Sequence, residues 1–167
     1  MNSPTVSNFV KQQGYPDVPE RSSNLHFRAL SFQPTVTAPV VLVAILLQAA
    51  PAFLALSGIL WWSALAPRWN PFDAIHNRFL ARPRGLPRLE RAPAPRRFSM
   101  GMAASFMFGI GSALLAGHAT IAFVLEGFLA LALTAVVFGR FCLGSYIFHL
   151  LRGKVAFANR TLPWARA

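Results

Sequence analysis

Residues 29–67, ALSFQPTVTAPVVLVAILLQAAPAFLALSGILWWSALAP, lie between Arg28 and Arg68 and run for 39 residues without a charge. A helix crosses a ~30 Å hydrocarbon core with roughly 20 apolar residues. The stretch is too long for one crossing and fits two. The break falls at Gln48-Ala49-Ala50-Pro51, because proline removes a helix hydrogen bond and suits the first turn of a new helix. This predicts span 1 at about 32–50 and span 2 at about 51–67. Trp61, Trp62 and Trp69 then cluster at one end, where amphipathic indoles prefer the headgroup layer.

The rest of the chain agrees with a membrane class. Of 167 residues, 54% are hydrophobic and only 13% charged, with a mean hydropathy of +0.45. A soluble domain carries about 25% charged residues, so this chain has too little polar surface for a water-soluble enzyme and too much apolar content for disorder. From Phe98 to Leu151 only Glu126 and Arg140 interrupt the apolar sequence. With a turn at Gly117-His118-Ala119-Thr120, span 3 is predicted at about 98–117 and span 4 at about 121–142 or longer. Residues 1–31 read as a polar tail without a signal peptide, and residues 152–167 as a basic tail with Trp164 as an interfacial anchor. Residues 68–97 form an Arg/Pro-rich loop, with a short helix at about Pro71–Leu80 and extended chain elsewhere. The expected fold is an all-α, four-helix transmembrane bundle.

Sixteen Lys and Arg face five Asp and Glu, a net charge of +11. With four spans, fifteen of the sixteen basic residues fall on one side, all but Arg140, and the opposite turns carry none. The positive-inside rule places both tails and the Arg loop in the cytoplasm. The expectation is a multi-pass protein of the bacterial cytoplasmic (inner) membrane, N-in and C-in.

Three blocks look familiar together: Ser31-Phe32-Gln33, Asn77-Arg78-Phe79 with Arg82-Pro83-Arg84, and Phe141-Cys142-Leu143-Gly144-Ser145-Tyr146. With the four-span layout they resemble the bacterial membrane family catalogued as domain of unknown function 4395, over roughly residues 28–152. The resemblance implies the four-span fold and a Cys-x-Gly-Cys pattern at the end of the last helix. Ser145 stands where that pattern has its second cysteine, so a disulfide across it cannot close.

Each candidate site has an ordinary reading beside a functional one. Cys142 is the only cysteine, which excludes an internal disulfide and a Cys-based metal cage; it is a candidate thiol, with simple packing as the ordinary reading. Gly101, Ser105, Gly109, Ala113 and Gly117 recur every fourth residue, a pattern that lets helix backbones approach closely in lipid, against this chain or another subunit. Glu126 and Arg140, the ionisable residues of span 4, stand ~21 Å apart along the axis at 1.5 Å per residue. They cannot pair, and each is expected to snorkel or meet a subunit. His149 is a weak candidate ligand for a pigment or haem, its ordinary reading being an interfacial histidine. Arg78, Arg82, Arg84, Arg88, Arg91, Arg96 and Arg97 form a surface for anionic lipid, worth ~1 kcal/mol per residue, or for acidic protein partners through forked hydrogen bonds. Nucleic acid is not expected as a partner, nor a resident cofactor or metal; contact with pigment, haem or quinone would come through partner subunits. The function that follows is a non-catalytic accessory subunit of a larger membrane complex, photosynthetic or respiratory by analogy. The alternatives are a membrane thiol protein using Cys142 and a small oligomeric transporter using Glu126 and Arg140.

Overall fold

Backbone amides in an apolar medium must find partners within their own segment, which leaves the helix as the solution for a chain of this composition. The computed structural model describes residues 4–84 and 88–165, the side chains of Glu20 and Arg21 aside; among them there is helix and loop but no strand. Four long helices dominate: α2 (Glu20–Leu46), α3 (Ala50–Leu65), α6 (Ala94–Leu115) and α7 (Ala119–Val137). Between α3 and α6 come a 3-10 turn (Pro67–Trp69), α4 (Pro71–Ile75), a π-helical stretch (His76–Ala81) and α5 (Arg82–Arg84). Short helices lie at the chain ends: α1 (Pro4–Gln12), α8 (Leu143–Leu151) and α9 (Val155–Arg160).

Three helices are long and apolar enough to cross a membrane: Ser22–Leu46, Ala94–Leu115 and Ala119–Val137. At 1.5 Å per residue, the sixteen residues of α3 span only ~24 Å. It qualifies as a fourth crossing only together with Pro67–Arg84, from which it is bent by 119°. The predicted break at Gln48–Pro51 is where the chain turns, with Pro51 in the first turn of α3. Gln48 takes a left-handed conformation there, φ 47°.

The core lies between α3 and α6. Phe53 and Leu60 on α3 meet Ala104, Met107 and Ile110 on α6, joined by Val41 and Ala44 of α2 and Leu129 of α7. The axes approach closely because Gly111 has no side chain: a Cβ there would stand 2.8 Å from Leu54 Cγ and 3.2 Å from the Ala50 carbonyl. The Ser57 hydroxyl donates to the Ala104 carbonyl at 2.8 Å, so a polar group between two apolar helices is satisfied. By contrast α7 buries only Ala122, Glu126 and Leu129, and turns Ile121, Phe123, Val124, Phe128 and Leu131 outward.

Three expectations about the ends of segments are corrected. The tail expected over residues 1–31 is helical over residues 4–12 and from residue 20 on: α1 buries Val6, Phe9 and Val10, Phe9 meets Phe27 of α2 edge-on at 5.2 Å, and α2 begins at Glu20 rather than near 32. Asn8 Nδ2 donates to the carbonyls of Leu162 and Ala165, bringing both chain ends together. The short helix expected at about Pro71–Leu80 is present but runs on to Arg84, residues 88–93 are non-helical, and α6 starts at Ala94 rather than 98. The fourth apolar helix stops at Val137 instead of running to 142, because Gly139 and left-handed Arg140, φ 52°, reverse the chain. A Cβ at Gly139 would stand 2.7 Å from the Ala135 carbonyl. The chain then returns as α8, whose Gly144 lies so close to Ser99 on α6 that a Cβ would stand 2.9 Å from the Ser99 Cα.

Overpacking a filled core costs about 1–3 kcal/mol. Gly111→Ile is expected to lower the thermal unfolding midpoint in detergent markedly. Gly127→Ala, at a helical glycine with nothing within 4 Å, should leave it unchanged or raise it.

Candidate functional site

An ion pair closes the end of the bundle that carries the chain termini. Asn70 caps α4 by accepting from the Phe72 amide at 3.0 Å, and its Nδ2 donates to Asp73 Oδ2 at 3.0 Å. Asp73 then receives both terminal nitrogens of Arg96, Nη1 on Oδ2 at 2.9 Å and Nη2 on Oδ1 at 2.5 Å. The same Nη2 reaches Gln33 Oε1 on α2 at 3.3 Å. A forked pair of this kind is strong and directional, and both partners are buried. It ties α2, α4 and α6 together. Tyr15, in the turn between α1 and α2, lies near the pair: burial pushes its phenol pKa up, partly opposed by the positive charge of Arg96.

Beside the ion pair sits a second polar cluster, built where α8 crosses α6. Cys142 caps α8; its amide donates to Gln12 Oε1 at 2.9 Å, and its thiol donates to Ser99 Oγ at 3.4 Å. Ser99 and Ser145 share a hydrogen bond at 2.8 Å. His149 Nε2 faces the Gln12 carbonyl at 3.0 Å, so that nitrogen carries the proton and donates. Gln12 Nε2 and His149 Nδ1 are buried without a hydrogen-bond partner. Between the clusters lies a pocket of about 110 Å³, whose wall includes Gln33, Arg96, Ser99, Cys142 and Phe9.

At the opposite end Glu126 is also buried. Gln48 Nε2 donates to its two carboxylate oxygens at 3.1 and 3.2 Å and to the Ile45 carbonyl at 2.7 Å. The carboxylate and the amide thus hold the α2–α3 turn against α7.

The predicted site residues divide accordingly. Arg78, Arg82, Arg84, Arg88 and Arg91 are exposed. Arg96 is not a surface contact: it is buried on Asp73, and Arg97 is half-buried with Nε on the Ala64 carbonyl at 2.7 Å. Glu126 does not snorkel but meets Gln48. Arg140 lies outside any helix, exposed in the turn after α7, with its guanidinium 5.5 Å from the centroid of the Phe27 ring. Cys142 starts a helix rather than ending one. His149 is buried within the protein, with Phe157 edge-on at 4.7 Å. The small-residue series does not form one face: a Cβ on Gly101 would touch Trp61 of α3 at 3.6 Å, one on Gly109 would meet Leu125 of α7 at 3.1 Å, and Ser105 is exposed. Ala113 is buried, and Gly117 lies beyond α6 with φ 74°. Among the described residues no group of three or more His, Cys, Asp or Glu is placed to hold a metal ion. Gln12, Gln48 and Ser99 carry no sequence motif of their own. Only the position of Gln48 at the turn of a charge-free stretch singles it out.

The three blocks that carry the family resemblance converge on the ion-paired end. Gln33 meets Arg96. The Asn77 side chain donates to the Leu89 carbonyl and accepts from its amide, both at 2.8 Å, pinning the chain before α6. Cys142, Gly144 and Ser145 pack on Ser99. The sequence model of the family described as domain of unknown function 4395 matches residues 27–153, and the chain belongs to that family. No curated protein and no solved structure matches it.

Removing one partner of a buried ion pair costs about 3–5 kcal/mol, because the other charge is left uncompensated, whereas replacing both by apolar groups is often neutral. Arg96→Met is therefore expected to destabilise strongly, and Arg96→Met with Asp73→Leu to recover most of the loss. Denaturant titration in micelles, run as a double-mutant cycle, checks this.

Proposed function

We propose that this protein is a four-span subunit of the bacterial cytoplasmic membrane, with both termini inside, and that it serves as a non-catalytic accessory subunit of a larger membrane complex. The observation that carries this reading is the helical arm Pro67–Arg84. Bent by 119° from α3 and held by the Arg96–Asp73 pair, it presents Arg78, Arg82 and Arg84 together with Ile75 and Phe79, all exposed. Guanidinium groups beside an aromatic ring suit a partner surface bearing carboxylates, which they engage in forked hydrogen bonds. Exposed Arg88 and Arg91 extend the same basic end, and the outward apolar face of α7 is free for a neighbouring helix. The charge asymmetry supports the inward orientation of that end.

A second reading, a membrane thiol protein, is favoured by one observation: Cys142 lines a pocket that Arg96 also lines.

Native purification in mild detergent with mass spectrometry tests the first reading. A stoichiometric partner is expected with the wild-type chain and should be lost when Arg78, Arg82 and Arg84 are all replaced by Glu, with insertion and thermal stability unchanged. A particle containing this chain alone overturns it. Maleimide labelling separates the readings: Cys142 should label slowly in the folded protein and quickly after unfolding in SDS. Equally fast labelling of the folded protein favours the thiol reading.

A further inference from the structure

A furrow of about 540 Å³ runs along the outer surface between α3 and α6. It lies away from the pocket at Cys142. Its α6 side follows a helical stripe, Phe98, Met102 and Phe106, and its α3 side is Trp61 and Leu65. Gly101 and Ser105, the small residues on the α6 side, leave the space between these walls open. From Ala94 to Phe106 the α6 side extends ~18 Å at 1.5 Å per residue, long enough to hold much of one acyl chain.

One end of this apolar furrow is electropositive. Among the described residues, Arg97 is the charged residue that lines it. Its Nε is committed to the Ala64 carbonyl, which fixes the guanidinium, while its two terminal nitrogens have no hydrogen-bond partner among the described residues. Ala94, in the first turn of α6, lines the same end; its amide and that of Arg96 are the first-turn N–H groups without an intrahelical acceptor, since Pro95 has no N–H and the Arg97 amide donates to the Pro93 carbonyl, and such amides attract anions. The neighbouring indoles set the depth: Trp61 lines the furrow, and Trp62 Nε1 donates to the Trp69 carbonyl at 3.2 Å, a tryptophan cluster of the kind that marks headgroup level. A fixed guanidinium at headgroup level, at the end of an apolar furrow, matches a phosphate ester carrying a fatty acyl chain. Among the described residues no carboxylate lines the furrow to pair with the ammonium group of a zwitterionic lipid.

We propose that the α3–α6 furrow is a binding site for one anionic phospholipid, with the phosphate on Arg97 and the first turn of α6 and one acyl chain between Trp61 and Met102. The site does not depend on whether a protein partner docks on the basic arm.

Native mass spectrometry of the delipidated full chain, titrated with phosphatidylglycerol, phosphatidylethanolamine or phosphatidylcholine of matched acyl chains, tests the proposal. The wild-type chain is expected to retain one phosphatidylglycerol in preference to the other two. Arg97→Gln should weaken that adduct by about fivefold, the worth of one basic residue near a lipid headgroup, and remove the preference. Ser105→Trp, at an exposed position, should block the furrow and lose the adduct while leaving Arg97 in place. Lys154→Gln, at an exposed basic residue away from the furrow, should change nothing. Equal retention of all three lipids by the wild-type chain overturns the proposal, as does wild-type retention of phosphatidylglycerol by Ser105→Trp. So does release of a co-purifying protein subunit by Ser105→Trp with lipid binding intact, which would assign the furrow to a helix.

Discussion

A guanidinium at the start of an apolar helix has to be matched, and the matching of Arg96 organises the end of the molecule where the chain termini meet. Asp73 is the carboxylate that meets it, and it sits in the first turn of α4, oriented by the cap residue Asn70. Bringing that turn onto the start of α6 forces residues 67–84 away from the axis of α3. The wide bend and the outward display of Arg78, Arg82 and Arg84 follow from one buried pair. Gln33 adds α2 to the same node, so three helices are fixed relative to one another by side chains that lipid would not tolerate alone.

Much of the fold can be read from the sequence because lipid punishes charge and unpaired backbone so heavily. The charge-free run of residues 29–67, with Pro51 at its middle, specifies a helical hairpin without reference to anything else. The segments that escaped detection depend on tertiary contact. Residues 4–12 have an apolar set, Val6, Phe9 and Val10, too small to signal burial until α2 and the C-terminal carbonyls are present to receive it. The reversal after Val137 was hidden for another reason: Phe98–Leu151 is apolar on both sides of the turn, so hydropathy is continuous while the chain is not. Gly139 and Arg140 were the local signal. A glycine with no room for a Cβ followed by a residue with positive φ is a turn, whatever the hydropathy.

The candidate site was less legible than the fold, and spacing explains part of the difference. At 3.6 residues per turn a repeat of four drifts by about 40° per step, so Gly101 and Gly109 differ by about 80° around α6. One faces α3 and the other α7. The Cys-x-Gly-Ser block illustrates the complementary point. Its glycine is explained by the crossing of α8 over Ser99, and its serine by the hydrogen bond to the Ser99 hydroxyl. Neither can be inferred without knowing that the block opens a helix instead of closing one.

The polar residues buried within the apolar sequence therefore fall into two kinds. Gln48 and Glu126 satisfy each other, and Gln48 does so from a left-handed conformation that costs about 1–2 kcal/mol for a residue with a side chain. A cost of that size persists only if the surrounding contacts offset it, as the hydrogen bonds to Ile45 and Glu126 do; this pair locks a turn. The residues around Cys142 are satisfied less completely, since Gln12 and His149 each keep a buried nitrogen without a partner, and unpaired buried groups cost roughly 1–3 kcal/mol apiece. That deficit lies where α1 meets α8, the helix opened by the family's last sequence block. Turn-locking alone does not account for that placement, and it separates the end of the bundle where binding is to be sought from the end that is merely closed.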